Sequence, residues 1–249
     1  MHWNDFLTEQ DTAVPAATSW AKQEPFGLGA RPAVVVVDLY YAALGLPRAD
    51  ILDSVADWPS SCGLDGWAAV DRTAGVLATA RAAGAKVIYL HATPPELGRW
   101  HRKPAKRLAT RSDGLDPNDI VAEAAPRADD IVLTKIGPSA FHQTPLDTIL
   151  RSGGYDTVLV CGEATSGCVR STVVDGCVAG YRVGVVGDCC FDRFEASYHV
   201  SLFDSHMFRP YVRTYGLNIW LNQRYADVIT ADETETYLRT CDSHSTGAA

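Results

Sequence analysis

Six short apolar runs, almost free of polar interruptions, recur along the chain. Most are followed by a stretch whose apolar positions return with helical spacing. The first run is Ala33-Val34-Val35-Val36-Val37, introduced by Arg31-Pro32 and ending in Asp38. Lys86 to His91 is the second and Ile131 to Thr134, running straight into Lys135, the third. Val158 to Cys161, Arg182 to Val186 and Tyr225 to Thr230 complete the set. Helical patterns cover about Trp67 to Ala83, Leu146 to Arg151, Cys168 to Ala179, Glu195 to Met207 and Ala231 to Arg239, several of them stopped by glycine at Gly84, Gly153-Gly154 and Gly180. A strand without polar alternation is buried on both faces, and strands of that kind alternating with helices predict a parallel sheet covered on both sides, a three-layer α/β/α domain.

The remaining segments read as connections. Residues 1–30 carry scattered aromatics without a clean period and form an N-terminal arm, residues 31–240 the domain, and residues 241–249 a small, polar, disordered tail. Tyr40 to Gly66 reads as loop, with Pro47, Pro59 and several Asp and Gly. Arg209 to Trp220 reads as an irregular insertion rich in aromatics, a candidate subunit contact. The Pro-interrupted basic segment from Pro94 to Asp119, with Trp100 and His101 among its cations, is a loop of a length more often functional than idle.

Composition narrows the function. A chain of 249 residues that is 47% apolar supports one large core, and a formal charge of -8 argues against a nucleic-acid surface and for a small-molecule substrate or a protein partner. No apolar run approaches the roughly 18 residues of a membrane span, and no basic leader precedes an apolar core, so a cytoplasmic protein is expected. The seven cysteines include no C-x-x-C pair and no zinc-like spacing with histidine; six of them read as small apolar residues in a reducing compartment. No metal and no cofactor are expected.

The seventh, Cys168, stands at the start of a helix directly after a buried strand. Backbone N–H groups and the helix dipole favour negative charge there, so its thiol is expected to ionise below the ordinary value of roughly 8.5. In an open α/β sheet ligands bind beyond the carboxyl ends of the strands, where Asp38, Lys135 and Cys168 all fall. A carboxylate can take the thiol proton and return it to a leaving amine, an ammonium can hold the thiolate, and the N–H groups of Ala164 and Cys168 can face a developing oxyanion. Such a set suits amide hydrolysis through a thioester.

The Val-Val-Val-Asp strand, Thr134-Lys135 followed by Pro138-Ser139-Ala140-Phe141, and the Gly162-x-x-Thr165-x-x-Cys168-Val169 segment resemble the isochorismatase-like cysteine hydrolases over about Arg31 to Thr230. The stretch from Ala164 to Asp175, Asp192-Arg193 and Leu202-Phe203-Asp204 are similar to the N-carbamoylsarcosine amidohydrolase branch. The resemblance implies a six-stranded sheet in the order 3-2-1-4-5-6, an Asp38–Lys135–Cys168 triad, a cis peptide at Glu163-Ala164 and assembly as a homo-oligomer, a dimer or tetramer. It implies that Arg193 grips a substrate carboxylate, the alternative being a surface Arg paired with Asp188, Asp192 or Glu195. Thr165 is a further candidate substrate contact, though a turn threonine usually satisfies nearby backbone, and Trp100 is a third. Relatives that bind metal carry Asp-x-His after the second strand; here Leu90-His91-Ala92-Thr93 stands there, which makes His91 a structural or pocket-wall residue.

The expected activity is therefore cleavage of a primary amide or terminal carbamoyl group on a small carboxylate-bearing molecule, N-carbamoylsarcosine first, with maleamate, biuret and ureido acids as alternatives. An isochorismatase-type hydrolase, a catalytically retired binding protein and a redox-active thiol with Cys161 or Cys177 as partner complete the range.

Overall fold

The computed structural model describes residues 3–17, 25, 27–92, 111–112, 114–207, 211–214, 217–220 and 225–245. Its centre is β1 (Pro32–Val37), buried along its whole length. Parallel neighbours flank it on both sides: β2 (Lys86–Ala92), beyond it β3 (Ile131–Lys135), and across β1 the strands β4 (Thr157–Glu163), β5 (Arg182–Phe191) and β8 (Asp227–Ile229). The resulting order, β3-β2-β1-β4-β5-β8, is the expected 3-2-1-4-5-6 with β8 as the sixth strand.

The period of two along each strand divides the apolar side chains between two helical layers. Val34, Val36, Leu159, Cys161 and Val186 pack with Val70, Val76 and Leu77 of α4 (Gly63–Ala82) and Leu238 of α8 (Ala231–Ser245). Ala33, Val35, Val37, Val158, Val160, Val183 and Val185 pack with Leu146 and Leu150 of α5 (Leu146–Ser152), Val173 of α6 (Arg170–Val178) and Leu202 of α7 (Glu195–Met207). At about 1.5–3 kcal/mol for each fully buried branched side chain, this double-sided burial is the main stabilising contribution.

Four segments differ from the sequence expectation. Residues 40–66 are not all loop: α2 (Tyr41–Leu44) and α3 (Ile51–Ser54) interrupt them, and α4 begins at Gly63, before Trp67. Gly66, read as the last residue of the loop, sits inside α4, where a side chain would meet Leu44 and Phe191. Indole N–H groups pin the segment, Trp58 donating to the Leu46 carbonyl at 2.8 Å and Trp67 to that of Gly45 at 2.9 Å.

Strand β5 continues five residues past Val186, through Gly187-Asp188, to Phe191; opposite the step from Val160 to Gly162 its register shifts from Val185 to Cys190. The insertion at 209–223 contains an antiparallel pair, β6 (Tyr211–Thr214) and β7 (Leu217–Trp220), where β-branched and aromatic residues favour extended backbone. The C-terminal helix carries on through Ser245, so residues 241–245, expected to be disordered, continue α8.

The N-terminal arm has structure of its own. It includes α1 (Glu9–Ala17), and the Phe6 ring stacks on His199 of α7 at 4.7 Å. Residues 27–31 are tied to the amino ends of the strands: Gly27 N–H donates to Asp227 at 2.7 Å, Gly29 N–H to the Thr157 hydroxyl at 2.8 Å, and the Ala30 and Arg31 N–H groups to the two Asp156 oxygens at 2.9 and 3.0 Å. Among the described residues no helix is long and apolar enough to cross a membrane.

Candidate active site

Three strands deliver three reactive side chains to one point on the carboxyl rim. Asp38 follows the last residue of β1. Its N–H still donates to the Leu90 carbonyl at 3.2 Å, but its backbone turns left-handed, φ 53°, a conformation that aspartate tolerates better than most residues. The turn takes the chain out of the sheet, and the buried carboxylate meets the Lys135 ammonium, Oδ2 to Nζ 2.7 Å. Lys135 closes β3. The same ammonium reaches Cys168 Sγ at 3.3 Å and the Gly137 carbonyl at 3.2 Å.

Cys168 lies beyond β4, after the cis Glu163-Ala164 peptide, in one turn of π-helix, Thr165–Val169, that leads into α6. The turn is closed by the Ala164 carbonyl, which accepts from Gly167 N–H at 3.0 Å and Val169 N–H at 3.1 Å. Room for the bend comes from Gly162, φ 114°, whose position leaves no space for a side chain: a Cβ would lie 1.9 Å from the Val37 carbonyl oxygen.

Electrostatics here differ from the expectation for a helix N-terminus. Burial pushes the Cys168 thiol up to about 12, the charge of Asp38 and a hydrogen bond to it add to the rise, and Lys135 only partly opposes them. Desolvation is the largest cause, and the Asp38 carboxylate adds to it. Burial and the Asp38 charge therefore oppose ionisation of the thiol, while the Lys135 ammonium at 3.3 Å favours it. Burial alone would favour neutral Lys135, but Asp38 and Cys168 outweigh it and hold the ammonium with a raised pKa.

Arg193, two residues beyond β5, makes an ion pair with Glu163, a partner outside the set Asp188, Asp192 and Glu195 that sequence reading offered. Glu163 is buried while about a third of the Arg193 side chain remains exposed, 35%. Burial raises the Glu163 carboxyl to about 7 even though Arg193 opposes the shift, with Asp38 and Asp192 adding to it. Asp192 binds this corner together: its Oδ1 accepts from Arg193 N–H at 2.8 Å and its Oδ2 from the Ser166 N–H and hydroxyl at 2.8 and 2.7 Å. Thr165 is fully buried and its hydroxyl donates to the Phe191 carbonyl at 3.0 Å, so it fastens the turn to β5 and its side chain does not open onto the rim. Trp100 lies outside the described residues.

Two residues of this site escaped the sequence reading. Tyr40, placed at the start of a loop, donates its hydroxyl to Asp38 Oδ1 at 2.6 Å, and its ring meets His91 edge-on at 5.2 Å. His91 Nε2 is 3.1 Å from the Asn118 carbonyl, in the wall of the site. Glu163 was the other; an acid closing a fully buried strand was the signal, because burial there demands a cationic partner. No group of His, Cys, Asp and Glu among the described residues is arranged to hold a metal ion.

The fold and these residues can be compared with known proteins. A family model described as an isochorismatase domain matches residues 50–214. The chain belongs to the isochorismatase family. Among the relatives of this isochorismatase-family chain, a maleamate amidohydrolase from Pseudomonas putida is 31% identical over 86% of this chain and 89% of its own length. A ureidoacrylate amidohydrolase from Methylorubrum extorquens is 32% identical over 65% of this chain and 70% of its own. The crystal structure of an N-carbamoylsarcosine amidase from Thermoplasma acidophilum superposes with a TM-score of 0.56 at 28% identity, covering 81% of this chain and 97% of that one. The family match begins after β1, so Asp38 comes from a segment upstream of it.

Proposed function

We propose that this isochorismatase-family chain is a cysteine-dependent amidohydrolase that cleaves a primary amide or terminal carbamoyl C–N bond of a small molecule through a thioester. The observation that carries the reading is the Lys135 ammonium in contact with both Asp38 and Cys168. A half-buried thiol beside a base and a cation is poised to lose its proton as it bonds to carbon. The Asp38 carboxylate takes that proton while Sγ attacks the carbonyl, and Lys135 offsets the negative charge left on the sulfur. The oxyanion forms against the N–H groups of Ala164 and Cys168. Asp38 then delivers the proton to the departing amine, ammonia leaves, and a water activated by Asp38 opens the thioester. The steps use side chains, backbone and one water.

For the rest of the substrate, the partly exposed side chain of Arg193 suits a carboxylate, which a guanidinium can receive with two parallel hydrogen bonds. N-carbamoylsarcosine, maleamate and ureido acids all combine an amide-type carbonyl with a carboxylate, in keeping with the three relatives' names. Seven free cysteines suit a reducing cytoplasm, and the β6–β7 ribbon is the proposed contact of a homo-oligomer.

The deciding experiment is ammonia release from N-carbamoylsarcosine, N-carbamoylglycine, maleamate, ureidoacrylate, biuret and nicotinamide, by wild type and Cys168→Ala. Release that vanishes in the variant supports the reading, and a preference for the carboxylate-bearing compounds supports the role of Arg193. Release that persists in Cys168→Ala sinks the thioester.

A further inference from the structure

Arg193 reaches the rim already partnered. One of its terminal nitrogens is committed to the buried carboxylate of Glu163, and its own backbone is anchored to Asp192. Asp192 also grips the first residues of the turn that carries Cys168, so the guanidinium is fixed relative to the reacting sulfur through two hydrogen-bonded links. An anionic substrate arriving there meets an arginine whose charge is largely balanced, with two carboxylates beside it. Bringing a third negative group into this corner costs more than the guanidinium alone can return.

We propose that Glu163 is a specificity-determining residue that competes with the substrate carboxylate for Arg193, so that an anionic substrate binds together with one proton taken up by Glu163. The inference rests on the reading that Arg193 faces the substrate. In the free site the Arg193–Glu163 pair is ionic. On binding, the guanidinium transfers its charge-assisted contact to the substrate carboxylate, and Glu163 becomes a neutral acid that stays hydrogen-bonded in place. A neutral substrate, meeting Arg193 with a carbonyl or ureido oxygen, leaves the original pair intact and takes up no proton.

The surroundings support this exchange. The groups that act on Glu163 are Arg193 and Asp192 at the end of β5, Asp38 beyond β1, and the Cys62 thiol at the start of α4. Arg193 is the only cation of that set, and burial holds the carboxyl near 7, within reach of protonation at working pH. Since the anion raises that value further in the complex, affinity for an anionic substrate is full below about pH 7 and falls as pH rises beyond it, approaching tenfold per unit. Glu163→Gln keeps an oxygen to accept from Arg193 and removes the charge.

The test is calorimetric titration of maleamate and of its uncharged diamide counterpart into Cys168→Ala, which cannot turn them over, between about pH 6 and pH 8.5. At the upper end, two buffers of different ionisation enthalpy count the protons. The expected result is uptake of close to one proton per maleamate, a Kd that rises about thirtyfold over the alkaline range, neither effect with the diamide, and loss of both in Cys168→Ala/Glu163→Gln, which binds maleamate about thirtyfold tighter at high pH. Maleamate binding without proton uptake, or the same pH dependence with and without Glu163, overturns the proposal while leaving the amidohydrolase reading in place. Absence of maleamate binding at pH 6, with the diamide still bound, removes the carboxylate role of Arg193 and this inference with it.

Discussion

In the proposed reaction Asp38 is the residue on which the chemistry turns, because its charge opposes ionisation of the thiol whose proton it would accept. Asp38 raises the Cys168 pKa through its charge and its hydrogen bond, so Asp38→Asn should lower it. The variant is expected to alkylate with iodoacetamide faster than wild type at pH 7 and yet lose about 10²- to 10⁴-fold in kcat/KM, because the proton acceptor has gone. Slower alkylation would show that Lys135, and not Asp38, dominates the field at the sulfur. Tyr40 acts through Asp38. Its hydroxyl bond to Oδ1 holds the carboxylate in place beside Lys135, and Tyr40→Phe is expected to reduce kcat about tenfold with little change in KM. At this scale the sequence disclosed the residues that end strands, since a polar side chain after an apolar run is conspicuous. It concealed the pairings: Tyr40 meets Asp38 because the chain turns left-handed at Asp38, and Glu163 meets Arg193 because β5 runs on to Phe191.

Strand length accounts for most of what was hidden among the elements. Six apolar runs were enough to find every strand of the main sheet, because parallel strands buried on both faces have no polar alternation to dilute the signal. Gly187-Asp188 looked like the end of β5, yet a register shift against β4 absorbs the irregularity and carries the strand to Phe191, which is what brings Asp192 and Arg193 to the rim. Helix α4 began early for a similar reason: glycine there serves packing and not a turn. Gly162 is the sharpest case. Gly162→Ala forces a side chain into the Val37 carbonyl next to Asp38, at a φ that alanine disfavours. We expect a loss of at least about 3 kcal/mol in urea unfolding, or no folded protein. An alanine variant of wild-type stability would mean that β1 and β4 are less tightly joined than their geometry indicates.

The whole molecule separates its two rims by task. The carboxyl ends of the strands hold Asp38, Lys135, Cys168 and Arg193, while the amino ends hold Asp156 and Asp227, which bind the segment leading into β1. Burial alone would raise the Asp156 pKa, but the N–H groups of Ala30 and Arg31 outweigh it and the net shift is downward. A depressed carboxylate supplies stability that is present above its ordinary value of about 4 and is lost as pH falls through its folded value. Asp156→Asn should therefore lower Tm at neutral pH, flatten the acid side of the stability profile and leave kcat/KM unchanged. A drop in activity matching the drop in stability would show that the two rims are coupled.

Strand order also sets a timetable. The innermost strand is the first one synthesised, and it carries Asp38; Lys135 follows from the far edge, and Cys168 arrives only when the other half of the sheet leaves the ribosome. Until that moment the nascent chain holds a carboxylate and an ammonium without a thiol between them. An unfinished polypeptide of this sequence, released before β4, lacks Cys168, and the three side chains come together only once β4 has paired with β1.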